Sequence, residues 1–133
     1  IYTKAECLIR TGQIKEGLAE VDKVRVNRIH PDSYTPFAER GITDEAEAMA
    51  LLQDAKWVEC IGSFENFFDC KRWNSEEAYR QTITRTIPAA DADFDGVPDG
   101  ETSVFTLAPD SPLWVFPFPG DAVQHNSSLT QNY

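Results

Sequence analysis

Four aspartates recur along a short acidic segment at relative positions 1, 3, 5 and 9, and a glycine occupies position 6. The segment contains Asp91, Asp93, Asp95, Gly96, Val97 and Asp99. A hard dication takes about six to eight oxygen ligands, and alternate residues of a curled loop bring carboxylates together. Without a cation, carboxylates so close to one another would repel. The spacing therefore predicts a structural calcium site formed by the four aspartates and the main-chain carbonyl of Val97.

This segment differs from a calcium-sensor loop at its twelfth position, where Thr102 replaces the usual bidentate glutamate and Glu101 lies one place early. No pair of helices is predicted around it, so a calcium sensor is not expected. The alternative is a solvated acidic turn, in which aspartate and glycine serve only the turn geometry. Both a structural calcium site and a solvated acidic turn fit the sequence.

Strand-forming residues lie on both sides of the acidic segment. Residues 82–87 and 103–107 are rich in threonine and apolar residues, which predicts a β-hairpin with the acidic segment at its tip. Six of the eight prolines lie between residues 86 and 120 and exclude long helices there. We therefore expect residues 81–133 to form an extended and irregular region, with another short extended segment at 113–116.

The first 29 residues predict a helical hairpin. Apolar residues recur at helical spacing over residues 2–11 and from 13 to about 28, and Gly12 lies where a helix end favours a left-handed residue. The pattern is typical of a tetratricopeptide-like hairpin, which stacks on neighbouring pairs because it cannot bury both apolar faces alone. Since the chain begins inside such a pair and without methionine, we expect it to be the trailing part of a longer protein.

A long helix is predicted for residues 44–73. Asp44 and Glu47 have the spacing of a capping box, and apolar residues recur at helical spacing from Ala48 to Val58. Gly62 is the position at which this helix could be interrupted. The aromatic residues near its end are expected to pack in the core; they are Phe64, Phe67, Phe68 and Trp73. The expected fold is mainly α: a tetratricopeptide-like hairpin, a long helix, and an irregular C-terminal region with a small β-hairpin.

Composition limits the functions that this chain can have. Its 133 residues carry a formal net charge of −10, which argues against nucleic-acid binding, and no apolar run is long enough to span a bilayer. Three cysteines without paired spacing are expected as buried free thiols; they are Cys7, Cys60 and Cys70. Glu59, Glu65 and Asp69 lie on or near the long helix, but charged helix faces are far more common than catalytic carboxylate pairs.

Three motifs, in order along the whole chain, resemble one known family. They comprise Lys4-Ala5-Glu6 through Thr11-Gly12 with Val24-Arg25, then Phe67-Phe68-Asp69-Cys70-Lys71-Arg72-Trp73, and finally Phe116-Pro117-Phe118-Pro119 with Asn126, Leu129 and Gln131-Asn132-Tyr133. These are similar to the last tetratricopeptide-like hairpin, a helix end and the C-terminal signature of the SusD/RagB family. Ala122 stands where the tail of that family usually has glutamate, and Ser63 and Asn66 stand where the helix motif has glutamate and arginine.

The resemblance implies a non-catalytic surface lipoprotein of the outer membrane, with its signal peptide and lipid anchor outside this segment. Members capture glycans, or sometimes peptides, for a SusC-like TonB-dependent transporter. The matched motifs name no ligand-binding residue, so the binding site stays unknown at this point. Tyr34, Trp57 and Trp114 are candidates for stacking on a sugar only because they are aromatic, and packing is the expected role of each.

Two other classes of function fit the sequence. One is a calcium-stabilised helical-repeat scaffold that binds a protein partner, and the other is a fragment of a carbohydrate-active enzyme with a carboxylate pair. Affinity electrophoresis of the full-length protein in glycan gels separates a glycan-binding protein from the scaffold. Release of reducing sugar over hours tests for the enzyme.

The calcium site can be tested by replacing Asp93 and Asp95 together with asparagine. We expect the double substitution to lower the melting temperature only when calcium is present, because it removes charged ligands from the cation. Thermal unfolding in calcium and in chelator measures the effect, and Asp110→Asn outside the segment is the control. A calcium response identical to that of the unsubstituted protein would refute the assignment.

Overall fold

A computed structural model describes residues 1–90 and 99–131 of the chain. The helical part comprises α1 (Tyr2–Arg10), α2 (Ile14–Arg25), α3 (Glu45–Glu59) and α4 (Glu65–Trp73). The C-terminal part comprises the strands β1 (Ile83–Ile87) and β2 (Ser103–Leu107) and the short helix α5 (Gly120–His125). Single 3₁₀ turns lie at Pro31–Ser33, Phe37–Glu39, Glu77–Tyr79 and Pro112–Trp114. The expected class, mainly α with a small β-hairpin, is confirmed.

The predicted helical hairpin is formed by α1 and α2. Gly12 ends α1 with a φ of +82°, as expected, and its N–H donates to the carbonyl oxygen of Ile9 at 2.9 Å. The N–H of Gln13 donates to the carbonyl oxygen of Leu8 at 2.8 Å, so two carbonyls of the last turn are satisfied by the turn itself. Local chemistry alone therefore explains where α1 ends.

The two helices of the hairpin are in close contact at Gly17 of α2. A Cβ atom at this position would lie 2.6 Å from Cγ1 of Ile9 and 2.8 Å from the carbonyl oxygen of Ala5. Any larger residue would have to push the helices apart, because one of these neighbours is main chain. The glycine thus sets the separation between α1 and α2.

The third helix, α3, packs against both helices of the hairpin and is the neighbour that covers their apolar face. Its N-terminus is capped as predicted, because Oδ1 of Asp44 accepts a hydrogen bond of 2.8 Å from the N–H of Glu47. The buried residues of the core come from α1, α2, α3, α4 and two 3₁₀ turns; they are Ala5, Ile9, Leu18, Val21, Phe37, Ala48, Met49, Leu52, Trp73 and Tyr79. Whether further repeats precede the hairpin stays a prediction.

Residues 44–73 do not form one continuous helix. They are divided into α3 and α4, and Gly62 lies between the two helices. Its φ is +79°, a backbone angle that residues other than glycine rarely adopt. The side-chain amide of Asn66 then donates to the carbonyl oxygens of Trp57, at 2.8 Å, and Cys60, at 3.1 Å. These bonds satisfy the C-terminal carbonyls of α3 and hold α4 against them.

The expected burial of the aromatic residues near the end of the predicted helix is wrong for two of them. The buried face of α4 runs through Asn66, Cys70 and Trp73, at helical spacing. Phe64 and Phe68 therefore lie on the solvent side, and Phe64 is 76% exposed. Val58 continues the helical spacing of the apolar residues of α3 but is 70% exposed, and it borders an open apolar groove.

Half-buried Phe67 belongs to a second aromatic cluster, separate from the main core. Its ring centre lies 5.5 Å from that of Trp114 and 5.4 Å from that of Phe116. The prediction that residues 113–116 are extended is wrong at its start, because Leu113 and Trp114 belong to the 3₁₀ turn at Pro112–Trp114, whereas Val115 has extended dihedral angles. The indole N–H of Trp114 donates to the carbonyl oxygen of Ala108 at 2.7 Å, which fixes this turn beside β2.

The predicted β-hairpin is present as two antiparallel strands. Ile83 pairs with Leu107, Arg85 with Phe105, and Ile87 with Ser103. Of the three cysteines, all free, Cys70 is buried and Cys60 is half-buried, whereas Cys7 is exposed and contradicts the expectation for it.

A buried carboxylate joins α1 to α4. Glu6, which is only 7% exposed, accepts hydrogen bonds from both terminal nitrogens of Arg72 (2.6 and 2.7 Å), from the indole of Trp73 (3.2 Å) and from Nε of Arg10 (2.8 Å). Burial by itself would raise the pKa of Glu6, but these hydrogen bonds and the charge of Arg72 lower it to about 2. Arg10 also forms two hydrogen bonds of 2.8 Å with Glu76, beyond α4.

Replacing Glu6 with glutamine is expected to destabilise the protein by about 2 kcal/mol at neutral pH, because Arg72 and Arg10 lose the buried carboxylate that pairs with them. The pKa of Glu6 is about 2 when folded and 4.5 in the reference state, so its contribution is complete above pH 4.5 and lost as the pH falls towards 2. Denaturant unfolding across this pH range measures the difference between the two proteins. That difference should shrink on acidification.

The matched control is Glu16→Gln on the exposed side of α2, which should leave stability nearly unchanged at every pH. A stability difference for Glu6→Gln that stays constant between pH 7 and pH 2 would contradict the charge-based explanation.

Candidate functional site

An exposed tryptophan of α3 lies beside the start of the β-hairpin. Trp57 occupies the last turn of α3 and is 37% exposed. Its carbonyl oxygen is held by Asn66 of α4, as described above, so the main chain that carries the indole has a fixed position. A large aromatic side chain that is exposed yet held in this way is suited to ligand contact rather than to core packing.

Trp57 forms one wall of a cleft with a volume of about 230 Å³. The remaining lining comes from Asp54 on α3 and from the start of the hairpin; these hairpin residues are Gln81, Thr82, Ile83 and Thr84. Asp54 lies three residues before Trp57, which places both on one side of the helix. The cleft thus combines an aromatic plane with a carboxylate, two hydroxyls and an amide.

The floor of this cleft is supported by a buried amide network. The side chain of Gln81 donates to Oε1 of Gln53 at 2.8 Å, and its main-chain N–H donates to Oδ1 of Asn74 at 2.9 Å. Gln53 is buried and donates in turn to the carbonyl oxygen of Tyr79 at 3.0 Å. Since buried polar groups that are paired cost little to keep in place, the network holds the start of β1 against α3.

The polar groups that face the cleft differ from those beneath it. Within residues 1–90 and 99–131, the carboxylate of Asp54 and the hydroxyls of Thr82 and Thr84 make no hydrogen bond or ion pair. Their hydrogen-bonding capacity is available to a ligand.

A second pocket adjoins the cleft and shares Trp57 and Ile83 with it. It has a volume of about 280 Å³ and is mainly apolar; its other lining residues are Ile61, Gly62, Ser63, Asn66, Phe67, Leu107 and Trp114. No lysine, arginine or histidine is among the described residues that line either space. The arrangement suits a neutral ligand that has both an apolar face and hydroxyl groups.

Comparison with known proteins gives one result. The sequence model of the SusD family matches residues 1–133. The chain belongs to the SusD family. No curated protein and no solved structure matches it.

The motifs that this SusD-family chain shares with the family build the fold rather than the cleft. The helix-end motif supplies Arg72 and Trp73, which bind Glu6 of the hairpin motif. In the tail motif, the N–H of Phe118 donates to Oε1 of Gln131 at 2.9 Å, and Nε2 of Gln131 donates back to the carbonyl oxygen of Phe118 at 3.2 Å. These contacts explain why the family match by itself names no binding residue.

The predicted calcium ligands fall mostly outside the residues that the structure describes. This applies to Asp91, Asp93, Asp95 and Val97, so the site stays a prediction. Asp99 is described, and its N–H donates to the carbonyl oxygen of Ala90 at 2.8 Å, which brings the two ends of the acidic segment together. Within the described ranges, no group of three or more histidine, cysteine, aspartate or glutamate residues could hold a metal ion.

The other candidates from the sequence have structural partners. Tyr34 is half-buried, and the guanidinium of Arg25 lies 5.5 Å from its ring centre. Trp114 is buried, so packing is its role, as expected. Among the acids near the helix, Glu59 is paired with Arg28, and Asp69 is paired with both Lys56 and Arg72.

The sequence did not identify the polar residues around Trp57. Asp54 carried one signal, since its spacing of three from Trp57 predicts a shared helix face. Gln81, Thr82 and Thr84 carried none beyond strand propensity. Only the packing of the hairpin on α3 brings them to the same place.

None of the helices in the described part of this SusD-family chain has the length and apolar character needed to cross a bilayer.

Proposed function

We propose that this chain belongs to a non-catalytic surface protein that binds glycan at the Trp57 cleft for nutrient uptake. The observation that carries the proposal is the cleft itself, where an exposed indole lies beside a carboxylate and two hydroxyls that have no partner among the described residues. A pyranose ring has an apolar face of C–H groups and a rim of hydroxyls. An aromatic plane with hydrogen-bonding groups at its edge complements both.

Membership in the SusD family supports the biological setting of the proposal. We infer that the protein acts at the outer membrane with a SusC-like TonB-dependent transporter, to which it passes the bound oligosaccharide or polysaccharide. Anchoring is proposed to occur through a lipid attached outside this segment.

The absence of catalysis is part of the proposal. Hydrolysis of a glycosidic bond ordinarily uses two carboxyl groups on opposite sides of the bond. Among the described residues that line the cleft, Asp54 is the one carboxylate, while Glu59 and Asp69 are held in ion pairs. We expect no reducing sugar to be released when the full-length protein is incubated for hours with a glycan that it binds.

Substitution of Trp57 tests the site. We expect the full-length protein to be retarded in gels that contain a neutral polysaccharide, and Trp57→Ala to weaken this binding by at least about tenfold, because the stacking surface is lost. Trp57→Phe should keep part of the affinity, since it retains a smaller aromatic face. Affinity electrophoresis and isothermal titration calorimetry measure both changes.

Phe64→Ala is the matched control, because Phe64 is a more exposed aromatic residue that does not line the cleft. Its binding should equal that of the unsubstituted protein. Normal binding by Trp57→Ala, or an equal loss in both variants, would refute the cleft as the glycan site. Retention by no member of a panel that contains both neutral and acidic polysaccharides would refute glycan binding altogether.

A further inference from the structure

We infer that the Trp57 cleft selects neutral glycans over acidic ones, with the carboxylate of Asp54 accepting hydrogen bonds from sugar hydroxyls. This inference rests on the proposed function and adds a chemical class of ligand to it. The cleft is lined by both Trp57 and Asp54, so a ring stacked on the indole would bring its hydroxyls near the carboxylate.

Asp54 has the chemistry needed for this contact. An ionised carboxylate only accepts hydrogen bonds, and its two oxygens match two neighbouring hydroxyls of one sugar ring. Within the described ranges no cation or hydrogen-bond donor of the protein occupies these oxygens. Hydrogen bonds to a charged acceptor are stronger than those to a neutral one, so Asp54 is the strongest polar contact that the cleft offers.

The charges around the cleft disfavour an acidic ligand. No basic side chain is among the described residues that line the cleft or the adjoining apolar pocket. Among the basic residues close to the cleft, Lys56 is paired with Asp69, and Arg80 donates a hydrogen bond to the carbonyl oxygen of Asn74. Arg85 lies on β1 but is not among the described residues that line the cleft. The carboxylate of a uronic acid, or a sulfate group, would therefore meet Asp54 without a compensating cation.

The net charge of the chain also disfavours the binding of acidic glycans. Its formal net charge of −10 at neutral pH repels anionic polymers at a distance, an effect that salt screens. Asp54 acts at short range and the net charge at long range, so the two contributions can be separated by ionic strength.

Three forms of one polysaccharide provide the test. They are a neutral glycan that the full-length protein retains, the same glycan with its C6 hydroxyls oxidised to carboxylates, and the methyl ester of that oxidised form, which is neutral again. We expect the oxidised form to bind at least about tenfold more weakly than the ester. Because the ester also lacks the C6 hydroxyl, the comparison isolates the effect of charge.

Substitution of Asp54 completes the test. Asp54→Asn should weaken binding of the neutral glycan by about tenfold, because a charged acceptor becomes a neutral one, and should reduce the discrimination between oxidised form and ester. Asp32→Asn removes the same charge from a side chain that does not line the cleft and should change neither. Since Asp54 is exposed and unpaired within the described residues, both variants are expected to fold.

The outcomes separate this inference from the proposed function. Equal affinity for the oxidised form and the ester would overturn the selection against acidic glycans, and unchanged binding by Asp54→Asn would overturn the role of that carboxylate. In either case glycan binding that depends on Trp57 would still stand. Binding of acidic glycans alone, with dependence on Trp57, would overturn this inference and leave glycan binding standing. Failure to bind either neutral or acidic glycans, or binding that is insensitive to Trp57→Ala, would overturn both.

Discussion

The buried carboxylate of Glu6 is the constraint on which the arrangement of the helices depends. It is the shared acceptor for Arg72 and Trp73 at the end of α4 and for Arg10 on its own helix. A charge in such a place is tolerated only because every oxygen is hydrogen-bonded to a donor. With Trp73 held in the core by this contact, α4 has one position relative to the hairpin.

The position of α4 in turn determines the position of Trp57 in the cleft, through a short series of contacts. Once α4 is placed, Asn66 is directed at the end of α3, where it binds the carbonyl oxygens of Trp57 and Cys60. The indole of Trp57 is therefore carried on main chain that is fixed from outside its own helix. A binding surface fixed in advance loses less conformational entropy when a ligand is bound.

Several local features could be predicted from the sequence because nearby residues decide them. Asp44 caps α3, Gly12 ends α1, and the strands at 83–87 and 103–107 pair as expected. Predictions of burial failed for Phe64 and Cys7, the helix predicted over 44–73 is divided, and the segment 113–116 begins in a 3₁₀ turn. Helical spacing says which residues share a face, but the neighbouring elements decide whether that face is covered.

The sequence by itself determined the helical hairpin, the β-hairpin and the membership of the family, since each depends on residues close together in the chain or on a match along its length. It named Trp57 only as one aromatic residue among several. Tertiary structure decided that Asp54, Thr82 and Thr84 line one cleft with that indole, because the hydrogen bonds of Gln81 to Gln53 and Asn74 hold the start of β1 against α3. Residues nearly 30 positions apart along the chain come into contact there, and no local sequence pattern predicts such a contact.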